Sequence, residues 1–462
     1  MNRETTRRAV LGAALGAGVA GGLLTSASSF LGRFAPLSGS VWGAAKTGRQ
    51  STVDSPHGPA EVRYDDEGVP QISADSETAL YFATGYAQAT DRLFQMDLQR
   101  RLFRGELSAV VGDTTLDSDE FHRKMMFAQA AEATAEHVRE TAVGPLLEAY
   151  ADGVNAAIES ESLPIEFRLL EYEPEPWTVA DSMIVEKVIA WGLTGSFRTL
   201  RKTLVADTFT AEMANQLYPD RFAERPRIIR DHHDPETFGA GLGIDVDVDA
   251  TETGQTVRKE TVDWLSGFEP DPKLGSNSWL VSPELSGGDA PVVSNDPHLQ
   301  LQAPPVWYEM HLDGPDHRVR GVSFPGVPFV VIGENNDGAW GFTNVGADVI
   351  DFYTYDRLED GEAYRYGEET REFETQTQEI EVADGSNKEI EVRRSVHGPV
   401  VEEAEQEVGV AWTGHAATET SLAIYELAHS EGVEDARRAA AKFEAPTQNL
   451  VYGSQTVAAC SR

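Results

Sequence analysis

The sequence predicts an α+β fold, and three observations lead there. Residues 76–217 place apolar side chains at three- and four-residue steps, the spacing of a helix face. Residues 276–452 break instead into short apolar or alternating runs, punctuated by Gly, Pro and Asp, which is the texture of strands. Between the two lies a Gly- and acid-rich stretch, 231–275, that reads as exposed spacer. With 462 residues, among them 8 Trp, 13 Tyr and 19 Phe, the chain can bury a large core and is no candidate for disorder.

In chain order, residues 1–35 are set apart from the fold. Arg7-Arg8 ahead of an Ala/Gly/Leu run over 9–24 is a twin-arginine export pattern. The run is short and Gly-rich for a bilayer span; a retained N-terminal anchor is the other reading. Residues 53–74 read as a hairpin turning at Gly68. Ser76 and Glu77 open a long helix with Leu80, Ala83, Ala87, Leu93, Phe94, Asp97 and Leu98 near one face. Further helix is expected over 128–159 and 179–212, with Glu173-Pro174-Glu175-Pro176-Trp177 as the loop before the last. In the spacer, His232-His233 has no cysteine and no second histidine cluster nearby, which favours an ordinary exposed pair over a metal site. Strands are expected at 279–282, 291–295, 306–312, 319–323, 329–332 and 339–343. A hairpin over 372–382 and 388–394 turns at Asp384-Gly385, and a final helix covers 419–443.

Charge narrows the partners. Seventy-six acidic against 38 basic residues give a net charge of −38, and only 8 of the basic residues are Lys. The acids are dispersed, a pattern that suits a halophilic protein kept soluble in concentrated salt; a merely acidic protein is the plainer alternative. No basic stripe exists to neutralise phosphates, so nucleic acid is excluded as a partner. The sole cysteine, Cys460, cannot form an internal disulfide, and no cysteine follows the apolar run to carry a lipid.

Several segments together carry a family resemblance. They are Asp91-Arg92-Leu93-Phe94-Gln95-Met96-Asp97 with Arg100-Arg101 and Arg104-Gly105-Glu106-Leu107; Tyr150 to Asn155; Glu173 to Trp177; Gly275-Ser276-Asn277-Ser278-Trp279; Asn295-Asp296-Pro297-His298-Leu299; Phe324-Pro325-Gly326; and His397-Gly398-Pro399. The sequence resembles the penicillin acylase family of the N-terminal nucleophile hydrolase superfamily, from about residue 53 to 452. The resemblance implies an αββα sandwich, with residues 50–230 as an α-chain-like region and 231–275 as spacer. Residues 276–452 then form the catalytic N-terminal part of a β-chain. An α/β heterodimer would arise by self-cleavage between Gly275 and Ser276.

The implied chemistry has a physical basis. Serine is a weak nucleophile and needs a base within hydrogen-bond reach. An α-amine titrates near ~8, so a serine at a new N-terminus carries its own base. Glycine at 275 leaves room for attack on the preceding carbonyl in a strained turn. The resemblance assigns an oxyanion-binding backbone N–H to Asn344 or Val345 and an orienting role to His298; a tight turn and a structural histidine are the respective alternatives. Ile189, Leu193, Leu299 and Ile332 fall at acyl-pocket positions. All four are aliphatic and suit an apolar acyl group, or else simply pack the core. Asp348, Ile350 and Asp351 resemble part of a structural calcium site, although Thr199 stands where its helical-half glutamate is expected. No organic cofactor is implied. The substrate class is a small-molecule N-acyl amide, with N-acyl-homoserine lactones as an alternative, and the site of action lies outside the cytoplasm or at the cell surface.

By its motifs the resemblance stops at Tyr452, and residues 453–462 read as a tail outside the family. A fold truncated at the C-terminus by a shifted or shortened reading frame is the expectation, and an inactive product is the rival to an enzyme.

Overall fold

The computed structural model describes residues 52–194, 196–219, 258–269, 275–299, 301–355, 358, 361–383, 385–403, 406–454 and 458–461. The export pattern and His232-His233 lie outside them. Among the described residues no helix is long and apolar enough to cross a membrane.

Helix α1 (Glu77–Arg104) begins where the Ser76 side chain accepts from the Ala79 N–H, at 3.2 Å, and ends at Gly105 in the left-handed region, φ 65°. These are the two standard ways of satisfying orphan backbone groups. Ala79 through Ala89 are buried without a break, so the one-face expectation is too narrow. The helix has β2 (Ala60–Tyr64) and β3 (Pro70–Ala74) against one side, and against another the helix Gly144–Ser160. That second contact is close enough to require glycine. A Cβ on Gly85 would collide with the Tyr150 carbonyl, and one on Gly153 with the Phe82 carbonyl.

After α1 come α2 (Leu116–Lys124), α3 (Phe127–Arg139) and α4 (Gly144–Ser160). The helix expected over 128–159 is thus two, broken before Pro145, which occupies the first turn of α4. The stretch 179–212 divides into α5 (Val179–Thr194), α6 (Arg198–Thr208) and α7 (Ala211–Leu217). Within the expected spacer, α8 (Lys259–Ser266) is no exposed linker. Val262 and Leu265 are buried, and the Phe268 ring just beyond stacks on Phe121 at 4.0 Å. Four apolar residues at helical spacing outweigh the acidic texture upstream. The segment 419–443 is also two helices, α9 (Thr420–Ala428) and α10 (Val433–Ala440).

The strands in chain order are β1 (Thr52–Val53), β2, β3, β4 (Gly275–Val281), β5 (Val292–His298), β6 (Tyr308–Asp313), β7 (Arg318–Ser323), β8 (Ile332–Asn335), β9 (Gly338–Asn344), β10 (Ile350–Tyr353), β11 (Ala363–Tyr366), β12 (Glu369–Glu372), β13 (Glu374–Ile380), β14 (Lys388–Ser395), β15 (Gly398–Glu403), β16 (Gln406–Trp412), β17 (Gln448–Ser454) and β18 (Ala458–Ser461). A nine-stranded sheet has the order β1-β2-β3-β6-β7-β8-β9-β17-β18, and a five-stranded sheet β10-β16-β15-β14-β13. All their pairings are antiparallel except β3 with β6, which joins the segment before α1 to the β-rich half. The α+β class is as expected. β4 and β5 form a separate two-stranded ribbon that stacks on β9 and β17. Two glycines permit this layer: a Cβ on Gly341 would collide with the Asn295 side chain, and one on Gly453 would press on Leu280 and Val293.

Candidate active site

The ribbon register pairs Gly275 with His298 and Ser276 with Pro297. Alternate side chains of a strand point to opposite faces. Ser276, Ser278 and Leu280 therefore share the half-buried face with Val293, Asn295 and Pro297, while Asn277, Trp279, Asp296 and His298 are exposed. Ser276 Oγ lies 2.7 Å from the Gly275 carbonyl oxygen and donates to it. The Ser276 hydroxyl is thus against the peptide group whose cleavage the sequence predicts. The strained turn expected at Gly275 is not found. Gly275 is in a strand, its φ lies outside the left-handed region, and an added Cβ would make only ordinary contact with His298 at 3.8 Å.

Ser276 lines a cavity of about 70 Å³ built from both halves of the chain. Ile189 and Leu193 come from α5, Leu299 follows the ribbon, Ile332 opens β8 and Asn344 closes β9. The structure thus brings all four expected acyl-pocket residues and one expected oxyanion residue to the same space as Ser276. Phe342, Phe443 and Ile424 complete the apolar wall.

The other expected residues fare differently. His298 is on the opposite face from the Ser276 hydroxyl, its Nε2 3.1 Å from Asp296 Oδ2 and 3.3 Å from Asn277 Nδ2. Strand alternation separates it from the role of orienting that hydroxyl. Val345 donates its N–H to the Thr447 carbonyl at 3.3 Å, so that group is committed to the sheet. By the same alternation the Asn344 N–H turns away from β17. The Asn344 side chain donates to the Leu193 carbonyl and accepts from Gly346 N–H at 2.8 Å, which fixes the end of β9 against α5.

For calcium the donor type fits and the number falls short. Asp348 and Asp351 are exposed carboxylates. Ile350 lies on β10, an edge strand, where the Thr413-to-Val349 hydrogen bond leaves its carbonyl pointing away from β16. Two carboxylates and one carbonyl are about half of the six to eight oxygens that calcium takes, and Thr199 on α6 supplies no carboxylate.

One charged cavity residue escaped the sequence reading. Glu186 is buried and accepts from Thr418 Oγ1 at 3.0 Å and Ser421 Oγ at 2.6 Å. Burial pushes its carboxyl up, against the pull of Lys187. Lys187 itself donates to the Ala416 carbonyl at 3.0 Å and to Thr418 at 3.1 Å. A Glu-Lys pair inside the otherwise apolar run of α5 was the available signal, since unpaired charges are almost never buried.

The quoted motifs of the helical half prove to be architectural. Asp97 accepts from Arg100 Nε at 2.8 Å, Arg101 Nε at 3.0 Å and the Tyr172 hydroxyl at 2.7 Å. Arg100 also donates to the Glu175 and Pro176 carbonyls. Asn155 and Trp177 exchange two hydrogen bonds, 2.9 and 2.6 Å. Gln88 Oε1 accepts from Tyr150 and from Gly326 N–H, and so ties α1 and α4 to the β-half.

An α+β chain with a Gly-Ser step at the head of a ribbon strand, opening on an apolar cavity shared by both halves, defines the class. The chain belongs to the penicillin amidase family, whose sequence profile matches residues 59–459 and so crosses the point after Tyr452 where the motifs stop. It is 29% identical over 369 residues to the penicillin acylase 2 proenzyme of Pseudomonas sp. (strain SE83), covering 79% of this chain and 45% of that protein. It is 27% identical over 422 residues to the acyl-homoserine lactone acylase QuiP of Pseudomonas aeruginosa, covering 85% and 48%. The chain therefore spans about half the length of these relatives. Among solved structures, a thermostable penicillin G acylase from Alcaligenes faecalis aligns with TM-score 0.36 at 24% identity, over 38% of this chain and 33% of that one.

Proposed function

We propose that this chain is the precursor portion of an amide hydrolase that cleaves N-acyl amides through an acyl-enzyme on Ser276. The supporting observation is the joint placement of Ser276, Asn344 and four aliphatic residues around one cavity, with the serine hydroxyl against the Gly275 carbonyl group. In maturation, Ser276 Oγ adds to the Gly275 carbonyl carbon, the C–N bond breaks with the proton passing to nitrogen, and an ester forms. That C–N cleavage frees the α-amine, and water then hydrolyses the ester to the Gly275 carboxylate and the regenerated Ser276 hydroxyl. In turnover this amine accepts the hydroxyl proton as Oγ attacks the substrate carbonyl. It returns the proton to the leaving amine, and water then removes the acyl group from Ser276. The Asn344 N–H is the proposed donor to the oxyanion, an interaction often worth about 2.7–4 kcal/mol.

The relatives' names, penicillin acylase and acyl-homoserine lactone acylase, share an acyl group on nitrogen. The aliphatic wall supports an apolar one here. Export by the twin-arginine route and activity in concentrated salt belong to the same proposal.

Mass spectrometry of the expressed chain is the test. Two fragments divided before Ser276 are expected, and Ser276→Ala should give one uncut chain. Cleavage at that bond in the alanine variant would overturn the scheme, as would amide hydrolysis by a folded, uncut wild-type chain.

A further inference from the structure

Away from the Ser276 cavity, three side chains from distant parts of the chain converge. Glu77 lies in the first turn of α1, His317 in the turn between β6 and β7, and His429 just past the C-terminal end of α9. Their ligand-capable atoms all lie within 4.8 Å of one another, the one such group of three or more His, Cys, Asp or Glu among the described residues. Glu77 Oε1 is 3.1 Å from His429 Nε2 and 3.8 Å from His317 Nδ1. The His317 side chain is only 6% exposed, yet neither of its ring nitrogens has a hydrogen-bond partner. Buried polar groups are almost always satisfied, so two orphaned nitrogens on a ring whose Nδ1 lies 3.8 Å from a carboxylate and which packs 3.9 Å from a second imidazole call for an explanation.

We propose that Glu77, His317 and His429 bind a divalent transition metal ion, zinc above the others, as a structural site with water in the fourth position.

The distances suit such an ion. Zinc–nitrogen and zinc–oxygen bonds of 2.0–2.1 Å in a tetrahedron place neighbouring ligand atoms about 3.3 Å apart, and the two measured separations bracket that value. Two imidazoles and a carboxylate are the donors that select zinc and its neighbours over calcium or magnesium. The surroundings orient the ligands as metal sites require. His429 Nδ1–H donates to the Tyr425 carbonyl at 2.8 Å, which directs Nε2 toward the cluster. The Tyr425 hydroxyl donates to both Glu77 oxygens at 3.1 Å. The competing arrangement, a His429 imidazolium paired with Glu77, satisfies those two groups and leaves both His317 nitrogens unpartnered.

The site bears on the fold's long-range order. It joins the start of α1, the β6–β7 turn and the end of α9. Tyr425 and His429 lie one turn apart on α9, and Thr420 and Ile424 of the same helix line the Ser276 cavity. An ion at the cluster would fix the helix that forms one wall of that cavity.

The 462-residue chain, stripped with chelator and then dialysed against zinc chloride, should retain one equivalent of zinc by elemental analysis and melt at a higher temperature than the stripped form. His317→Ala and His429→Gln should each lose that equivalent. Tyr425→Phe should weaken binding about 10-fold or more, while the double substitution His232→Ala/His233→Ala should leave it unchanged. His317 is buried, so its variant can fail to fold; His429, 26% exposed, then decides the matter. Cobalt(II) in place of zinc should give the intense visible bands of a four-coordinate site. Failure of the folded wild-type chain to hold zinc, or full retention by folded His429→Gln, would overturn the proposal.

Discussion

The helical half and the ribbon of β4 and β5 are held in opposite ways. In the helical half, buried charges are paired: Asp97, Arg100 and Asp181 are all under 5% exposed, and their bonds reach α1, Tyr172 and the Glu175-Pro176 carbonyls. The ribbon of β4 and β5 has no such network. It rests on β9 and β17 through one half-buried face and leaves Trp279 63% exposed on the other. The helical half is over-determined, so that losing one partner strands another. The ribbon depends on close approach, so that added volume should hurt more than lost polarity.

The largest effect should come from the buried charges. Asp97→Asn removes the anion facing two guanidinium groups, and breaking a buried pair typically costs about 3–5 kcal/mol. Chemical denaturation should show that loss, or the variant should fail to accumulate as folded protein. A loss under about 1 kcal/mol, the scale of an exposed pair, would mean that the helical half is not held by this network.

Next in size is Gly341→Ala. The added methyl collides with Asn295 on the ribbon, and overpacking a close contact typically costs about 1–3 kcal/mol. Because Asn295 shares a strand face with Pro297, opposite Ser276, the variant should also slow self-cleavage before Ser276, measured by following the two fragments with time. Unchanged stability together with unchanged cleavage would show that the ribbon does not depend on this approach.

These two positions also show what a sequence can disclose. Asp97, Arg100, Arg101, Asn155 and Trp177 stood out through the family resemblance, and the structure ties Asp97 to Tyr172, Arg100 to the Glu175 and Pro176 carbonyls and Asn155 to the Trp177 backbone. The four aliphatic cavity residues were legible only through the family resemblance, since apolar residues at helix or strand spacing look the same in a core. The ribbon's separation from the main sheet was not legible. Strand periodicity gives the face of each residue but not the partner strand, and Gly341 and Gly453 look like ordinary strand glycines. The face of His298 could have been read, because Ser276 pairs with Pro297 once the hairpin register is known, and its neighbour then points the other way. The zinc ligands could not have been, because Glu77, His317 and His429 share no local spacing. α8 was obscured by the acidic stretch before it.

A pH dependence separates the two regions further. His122, packed among Phe103, Phe121 and Phe127, is pushed by burial down to about 4, and His415 to about 3. Both are neutral in the fold, while the unfolded forms take up a proton near ~6.5. Their folded pKa values lie below the unfolded ones, so the stability they contribute is present above about 6.5. It is lost as the pH falls from there toward 4, at up to ~1.4 kcal/mol per pH unit for each group. Denaturation midpoints at pH 7, 6 and 5 should fall accordingly, and His122→Leu should flatten the slope. An unchanged slope in that variant would place the titration elsewhere.

The smallest effect tests the open face of the ribbon. Trp279 points away from β9 and β17, and surface substitutions away from special features usually stay within about 0.5 kcal/mol. Trp279→Ser should therefore leave stability and self-cleavage close to wild type, while its indole fluorescence in the parent should report a solvent-exposed ring. Leu280, one residue along and facing Gly453, supplies the contrast, because Leu280→Ser removes apolar contact from the buried side and should cost several times more. Equal losses at 279 and 280 would mean that both faces of the ribbon are covered in solution. The ribbon would then be the middle of a layer and not its surface, and its dependence on a single contact face would have to be given up.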